Sequence, residues 1–266
     1  MQKNIISKFS LYIILALNIL YPSYGIANAP KRPHYKKDYK HEKLVDCKTQ
    51  VCRPFRVITT LTGGAGFTQA GRTQSFIDND ITYSYHANKS GLSRIMWGAA
   101  AGGEFNFNSG WAADVTIGYS QIATFEAKGI GTQGSTVYNY QYSVNSKQYL
   151  LEAKILNGVP YGLHAYGLLG VGAAFNMLGN YTTTPAAVVG APEYQSKTNS
   201  NFAYSIGLGF DYDISHYMRM GLGYKFIGLG QANLGTGTVG TTVLSKTIKQ
   251  NALNEQEVMV QITFLV

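Results

Sequence analysis

Cysteine is almost absent from this chain of 266 residues, which has only Cys47 and Cys52, in "CKTQVC". That excludes a disulfide-rich scaffold and leaves one small-loop disulfide, the default pairing in an exported protein. His34 and His41 lie upstream, but C-x4-C is not a zinc-knuckle spacing, so no metal and no cofactor is expected. Long apolar runs are scarce too. The best of them, "LYIILALNIL" from Leu11 to Leu20, is too short to cross a bilayer. Lys3 and Lys8 precede it and the small residues of "YPSYGIANA" follow it, which is the layout of a cleaved secretory signal peptide. Pro30 disfavours a cut after Ala29, so cleavage after Gly25 or Ala27 is at least as favourable. No other stretch is patterned as a helix that could pack on this run.

A basic face is also missing where it would matter. The formal charge of +8 is concentrated at the front: +2 from Lys3 and Lys8, and +6 from residues 30–56. Residues 57–266 are left with no net charge. A nucleic-acid partner would need a basic surface on the folded part, so none is expected. The domain reading is therefore a signal peptide at 1–27, a basic periplasmic leader at 28–54 that carries Cys47 and Cys52, and a folded body at 55–266. Such a leader reads as a solvated tail, or as an anchor drawn to anionic head groups or to the acidic cell-wall polymer.

The body is rich in strict alternation. In "NFAYSIGLGFDYDISHYMRMGLGYKF", Phe202, Tyr204, Ile206, Leu208, Phe210 and Tyr212 alternate with Ala203, Ser205, Gly207, Gly209, Asp211 and Asp213. After a tight connection Met218, Met220, Leu222, Tyr224 and Phe226 resume the pattern. This predicts a hairpin with two unlike faces. Eight such segments can be drawn: 55–67, 93–107, 111–125, 145–156, 161–176, 202–213, 218–226 and 257–266. Their connections alternate between short turns (108–110, 157–160, 214–216) and long polar stretches (68–91, 127–144, 177–201, 228–252). Tight turns on one edge and long loops on the other predict an all-β, eight-stranded, antiparallel up-and-down transmembrane β-barrel.

A soluble barrel is the competing structure, and the two faces decide between them. No charge falls on the bulky face of segments two to eight, whereas one lysine or arginine at mid-bilayer would cost about 2 to 4 kcal/mol there. Eight strands enclose an interior only just wide enough for side chains. Rings of Phe, Tyr, Trp, Leu and Met would overfill it, while Gly98, Gly102, Gly170, Gly172, Gly207, Gly209, Gly221 and Gly223 would fit. The bulky face points outward. Aromatics cluster at its two ends, with Phe105, Phe107, Trp111, Phe210 and Tyr212 near the short turns. Tyr119, Tyr149, Phe175, Phe202, Tyr204, Tyr224 and Phe226 lie near the long connections. Two girdles of this kind mark two bilayer interfaces.

The Gly-rich "YGLHAYGLLGVGAAF" after a Pro turn, "IGLGFDYDISHYMRMGLGYKF" and the amphipathic terminal strand resemble the small eight-stranded outer membrane β-barrel proteins of Gram-negative bacteria, the OmpA-like and opacity-protein group. The likeness spans about residues 55–266 and implies residence in the outer membrane among its lipids and lipopolysaccharide, after insertion by the barrel assembly machinery. The sequence departs from the group at its end: members commonly finish in Phe or Trp, and here Phe264 is followed by Leu265 and Val266. No peptidoglycan-binding domain follows the barrel, so anchoring would fall to the leader.

The charges left for the lumen are Arg94, Glu104, Asp114, Glu152, Lys154, Asp211, Asp213, Arg219, Lys225 and Glu257. They can pair into a network that plugs the barrel; the alternative is a narrow gated ion conduit. A lipid-modifying enzyme is the second alternative, but histidine is scarce in the body. His86 lies in the first long connection without a motif, His164 faces the lumen as a hydrogen-bonded interior residue, and His216 stands beside Ser215 in a turn. None of these supplies a catalytic constellation, and no catalytic residue is expected. The third possibility is recognition, because Tyr-bearing connections such as "FIDNDITYSYHANKSG" and "STVYNYQYSVN" suit contact with host surface molecules.

Overall fold

A computed structural model describes residues 55–266 apart from 69–70, 89–91, 108–109, 160–161 and 185–190. The expected signal peptide, the expected leader and the expected Cys47–Cys52 disulfide lie outside the described residues. The strands, in chain order, are β1 (Phe55–Thr68), β2 (Gln74–Asp78), β3 (Ile81–Ala87), β4 (Leu92–Asn106), β5 (Trp111–Ile122), β6 (Phe125–Gln133) and β7 (Thr136–Val159). Then follow β8 (Leu163–Thr184), β9 (Glu193–Tyr194), β10 (Lys197–Ser215), β11 (Met218–Asn233), β12 (Gly237–Val239), β13 (Thr242–Val243) and β14 (Lys249–Leu265).

Eight of them, β7-β5-β4-β1-β14-β11-β10-β8, close into an antiparallel ring through the β7–β8 pairing. Cross-strand partners can be followed around it from Arg56 through Glu104, Asp114, Lys154, Leu168, Gly207, Lys225 and Glu257. The ladder returns to β1 at Gly66, ten residues further along the strand. A fixed stagger of this kind is what closure of tilted strands requires. The single ladder also carries six charged side chains, all on the inner face.

Alternation places each residue as its chemistry demands. Ile206, Leu208 and Leu222 are 55%, 63% and 59% exposed, while Ser205, Asp211 and Lys225 on the inner face are buried. The outer face carries a continuous run of rings, Trp97–Tyr119–Tyr149–Phe175, with centroids 5.4, 5.1 and 5.9 Å apart on four consecutive strands of the ring. At the other edge Phe55 meets Phe105 at 5.2 Å. Eight residues separate Trp111 from Tyr119, and Phe202 from Phe210. For strands rising about 3.3 Å per residue and tilted by about 40°, that gives an apolar band roughly 20 Å tall between the girdles. A band exposed on every stave and bounded by rings needs hydrocarbon around it.

The long connections are folded where the sequence suggested polar loops. β7 and β8 run well past the ring of aromatics, and β6, β3 and β2 add to the protruding part of β7. Asn79 and Asp80 both adopt positive φ (51° and 58°) between the paired Asp78 and Ile81. That is the requirement of a two-residue type I′ hairpin. β9, β12 and β13 form a separate small sheet. The barrel thus carries a β-structured head on its long-connection side.

Candidate functional site

The inner wall is shaped by side-chain size. Gly209 and Gly223 are cross-strand partners, and the space their missing side chains leave is occupied by the Tyr166 phenol. Lys154 Nζ stands 4.4 Å from the centre of that ring. Charge fills the rest of the lumen in three groups.

Nearest the short turns, Glu104 accepts from Arg56 Nε at 3.1 Å on Oε1 and from Arg219 Nη1 at 2.8 Å on Oε2. Arg219 Nε reaches Asp213 Oδ1 at 2.8 Å, and Asp213 Oδ2 lies 2.8 Å from His164 Nε2. Next, Lys154 Nζ donates to Asp211 Oδ2 at 2.7 Å and stands 3.9 Å from Asp114 Oδ2. Toward the long connections, Lys225 Nζ lies 3.4 Å from Glu152 Oε1 and 3.2 Å from Glu257 Oε2. Ser205 donates to Glu152 at 3.1 Å, and Gln148 Nε2 to Glu255 at 3.2 Å.

Nine of the ten charged residues assigned to the lumen therefore meet in ion pairs: Glu104, Asp114, Glu152, Lys154, Asp211, Asp213, Arg219, Lys225 and Glu257. Arg94 is the correction. It lies near the loop-side end of β4 and spends its guanidinium on the Ser93 carbonyl at 3.2 Å, in an exposed position where water solvates it more cheaply than the interior could. Arg56 and Glu255 enter instead. Arg56 was obscured because β1 has the weakest alternation of the eight; Glu255 shares the parity of Glu257 but sits among the polar Asn254 and Gln256. The histidines do not form one constellation. His164 is engaged with Asp213, Ser215 Oγ accepts from the Tyr217 N–H at 3.3 Å in the turn, and His86 is on β3 in the head.

The head seals the lumen from the other end. Leu150, Ala174, Ala203, Ile227, Leu229 and Leu253 on the inner barrel wall belong to one buried cluster with Leu234, Leu244 and Ile248 of the last connection. The same cluster takes in Tyr83, Tyr85, Tyr138, Tyr140, Tyr142 and Tyr194. Tyr85 is fully buried; its hydroxyl lies 2.9 Å from that of Tyr194 and receives that of Tyr138 at 3.5 Å. The tyrosines of "ITYSYHA" and "VYNYQYSVN" are thus a core and not a contact surface, which corrects the sequence expectation. Burial drives their phenols upward, Tyr140 to about 12 and Tyr85 further, so the seal stays neutral through the biological range.

At the rim, Asp78 of the β2–β3 hairpin takes two hydrogen bonds from Ser245, at 2.5 Å from its N–H and 3.0 Å from its hydroxyl. Burial alone would raise its carboxyl. The Ser245 N–H and hydroxyl, then the N–H and charge of Lys246, outweigh that and hold it below its ordinary range. A depressed carboxylate contributes stability above its unfolded value and loses it as pH falls through the folded one. Acidification is therefore expected to release the last connection from the first. Protection of the amides of residues 241–248, taken relative to the intrinsic exchange rate at each pH, should fall with acid in the native protein and already be low at neutral pH in Asp78→Ala.

With closure, an apolar belt between aromatic girdles and charge confined to the lumen, the identity of the architecture is settled. This is the fold of a small outer-membrane β-barrel. No protein-family model matches the chain, and no curated protein matches it. Similar solved structures include Neisserial surface protein A, at 7% identity and TM-score 0.34, covering 77% of this chain and 96% of that one. Ail, the attachment invasion locus protein of Yersinia pestis, is similar at 13% identity and TM-score 0.38, covering 79% and 99%. The outer membrane protease OmpT of Escherichia coli is similar at 6% identity and TM-score 0.45, covering 80% and 98%. These likenesses concern the fold alone.

Proposed function

We propose that the chain is exported by a cleaved signal peptide, resides in a bacterial outer membrane among its lipids and lipopolysaccharide, and acts as a non-enzymatic, non-conducting post that presents its head to host or other surfaces. The observation that carries this reading is the way the long connections are folded. Most of their aromatic side chains, with Leu234, Leu244 and Ile248, turn into a core that closes the mouth of the barrel, which favours a plug over an ion conduit.

Their other face is largely polar, with Ile77, Ile130 and Val137 exposed among hydroxyl and amide side chains. The register aligns Ser75 with Ser84, Ser84 with Thr132, and Thr132 with Val137. His86, Ile130, Asn139 and Thr184 form the next row, and Lys128, Gln141 and Thr182 the one after. Short hydroxyl and amide side chains on a rigid sheet offer hydrogen-bonding groups at fixed spacings with little ordering entropy to lose.

The test is a triple substitution on that face, Thr132→Lys, Asn139→Lys and Thr182→Lys, in cells that display the protein. The expected result is a normally folded barrel and adhesion reduced to that of cells lacking the protein, while Tyr85→Phe adheres as the native chain does. Unchanged adhesion in the folded triple variant would leave a purely structural role.

A further inference from the structure

We propose that the sealed end of the lumen is a binding site for one divalent, oxygen-seeking cation, Ca2+ or Mg2+, held by Glu255, Glu257 and Gln148. The proposal is independent of what the head contacts. Glu152, Glu255 and Glu257 share this compartment with one cation, Lys225. Lys225 is buried and Glu152 half-buried, while Glu255, Glu257 and Gln148 are at 0% exposure. The compartment has two negative charges more than its own lysine can balance. Leaving them uncompensated in a low-dielectric interior is strongly unfavourable. The other lumenal cations are spent elsewhere: Lys154 on Asp211, and Arg219 on Glu104 and Asp213.

The oxygens show where the missing positive charge belongs. Gln148 gives its Nε2 to Glu255 Oε2, which brings its amide into the same compartment, with its own Oε1 left as a further buried acceptor. Gln148 Oε1, Glu255 Oε1 and Glu257 Oε1 receive no hydrogen bond from the protein. The two glutamate carboxyls are within hydrogen-bonding reach of each other, and Gly66 presents no side chain where Glu255 Oε1 lies. Two protons would also balance the charge; one divalent ion would do so while taking all three oxygens as ligands. Two carboxylates and an amide oxygen are the donor set of a hard cation. No cage of three His, Cys, Asp or Glu side chains occurs among the described residues, which separates this site from a zinc centre. A void of about 30 Å3, bordered by Met96, Gly98, Ser120, Glu152 and Lys225, opens on the Glu152–Lys225 side of the compartment and has room for water.

The full chain should be unfolded in urea and refolded into detergent with Ca2+, with Mg2+ or with EDTA, then freed of loose ions by gel filtration. Elemental analysis is expected to find one Ca2+ or Mg2+ per folded chain. The temperature at which the compact gel band converts to the unfolded one should be lower after refolding in EDTA. Glu255→Gln with Glu257→Gln removes the excess charge, so this variant should fold without retaining metal and show the same transition with EDTA as with metal. Should that variant fail to fold, Gln148→Met keeps both carboxylates, and its retention of metal through gel filtration should fall by about tenfold or more. Folded native chain that carries no stoichiometric metal, or metal retained undiminished by the variants as an adventitious ion only, overturns the proposal.

Discussion

Replacing Glu104 with alanine is expected to lower the unfolding free energy of the barrel by about 3 kcal/mol, at the lower end of the range for breaking a buried ion pair. Glu104 is fully buried and holds two arginines at once, one on each carboxylate oxygen. Their situations differ. Arg56 is partly exposed and can turn its guanidinium to water, whereas Arg219 is 3% exposed and cannot. Arg219 would keep Asp213 at 2.8 Å, which is why the expected loss is not larger. The asymmetry supplies a control: Arg56→Ala removes a solvated partner and should cost no more than about 1 kcal/mol. Urea titration of vesicle-inserted protein, followed by tryptophan fluorescence, reads both. Equal losses in the two variants would show that the Glu104–Arg219 contact does not hold the lumen together.

The other large effect is steric. Gly223→Leu places a branched side chain where the Tyr166 phenol lies, with Met259 Cε beside it. Overpacking in a closed core costs about 1 to 3 kcal/mol when neighbours can shift. Here the ring itself is held by the Leu222 carbonyl side of the wall at Gly209 and by Lys154, which is tied to Asp211. The expected result is loss of the heat-modifiable folded band. Gly209→Leu, directly across the strand pair, should fail as well, because its side chain also meets the Leu222 carbonyl oxygen, and Tyr166→Ala should restore folding to Gly223→Leu but not to Gly209→Leu. Failure of the Gly223 rescue would mean that this glycine serves the strand backbone and not the tyrosine.

The barrel was legible in the sequence because its two solvents are so different. Hydrocarbon outside accepts Ile206, Leu208 and Leu222, and the narrow interior accepts Gly207, Gly209 and Lys225, so the alternation is nearly free of exceptions. Parity also found most of the lumenal ion pairs. It could not reveal which charge stays at the rim, since Arg94 has the inward parity of Met96 and differs only in its height along the strand. The head was read less well, although its signal was present. Tyr138, Tyr140, Tyr142 and Val144 alternate with Asn139, Gln141 and Ser143 as regularly as any barrel strand. Their interior is built from other connections, Tyr194 and Leu244 among them, and contacts so distant in sequence leave no local trace. Without them a tyrosine beside an asparagine looks like surface.

The continuity of β7, 24 residues from the short-turn edge to the summit of the head, fixes how the molecule answers force. A tug applied at the top travels down one unbroken backbone into the staves and is resisted by rows of hydrogen bonds in shear, with no slack joint between top and base. A cell tethered by this molecule would part at the contact before its tether stretched.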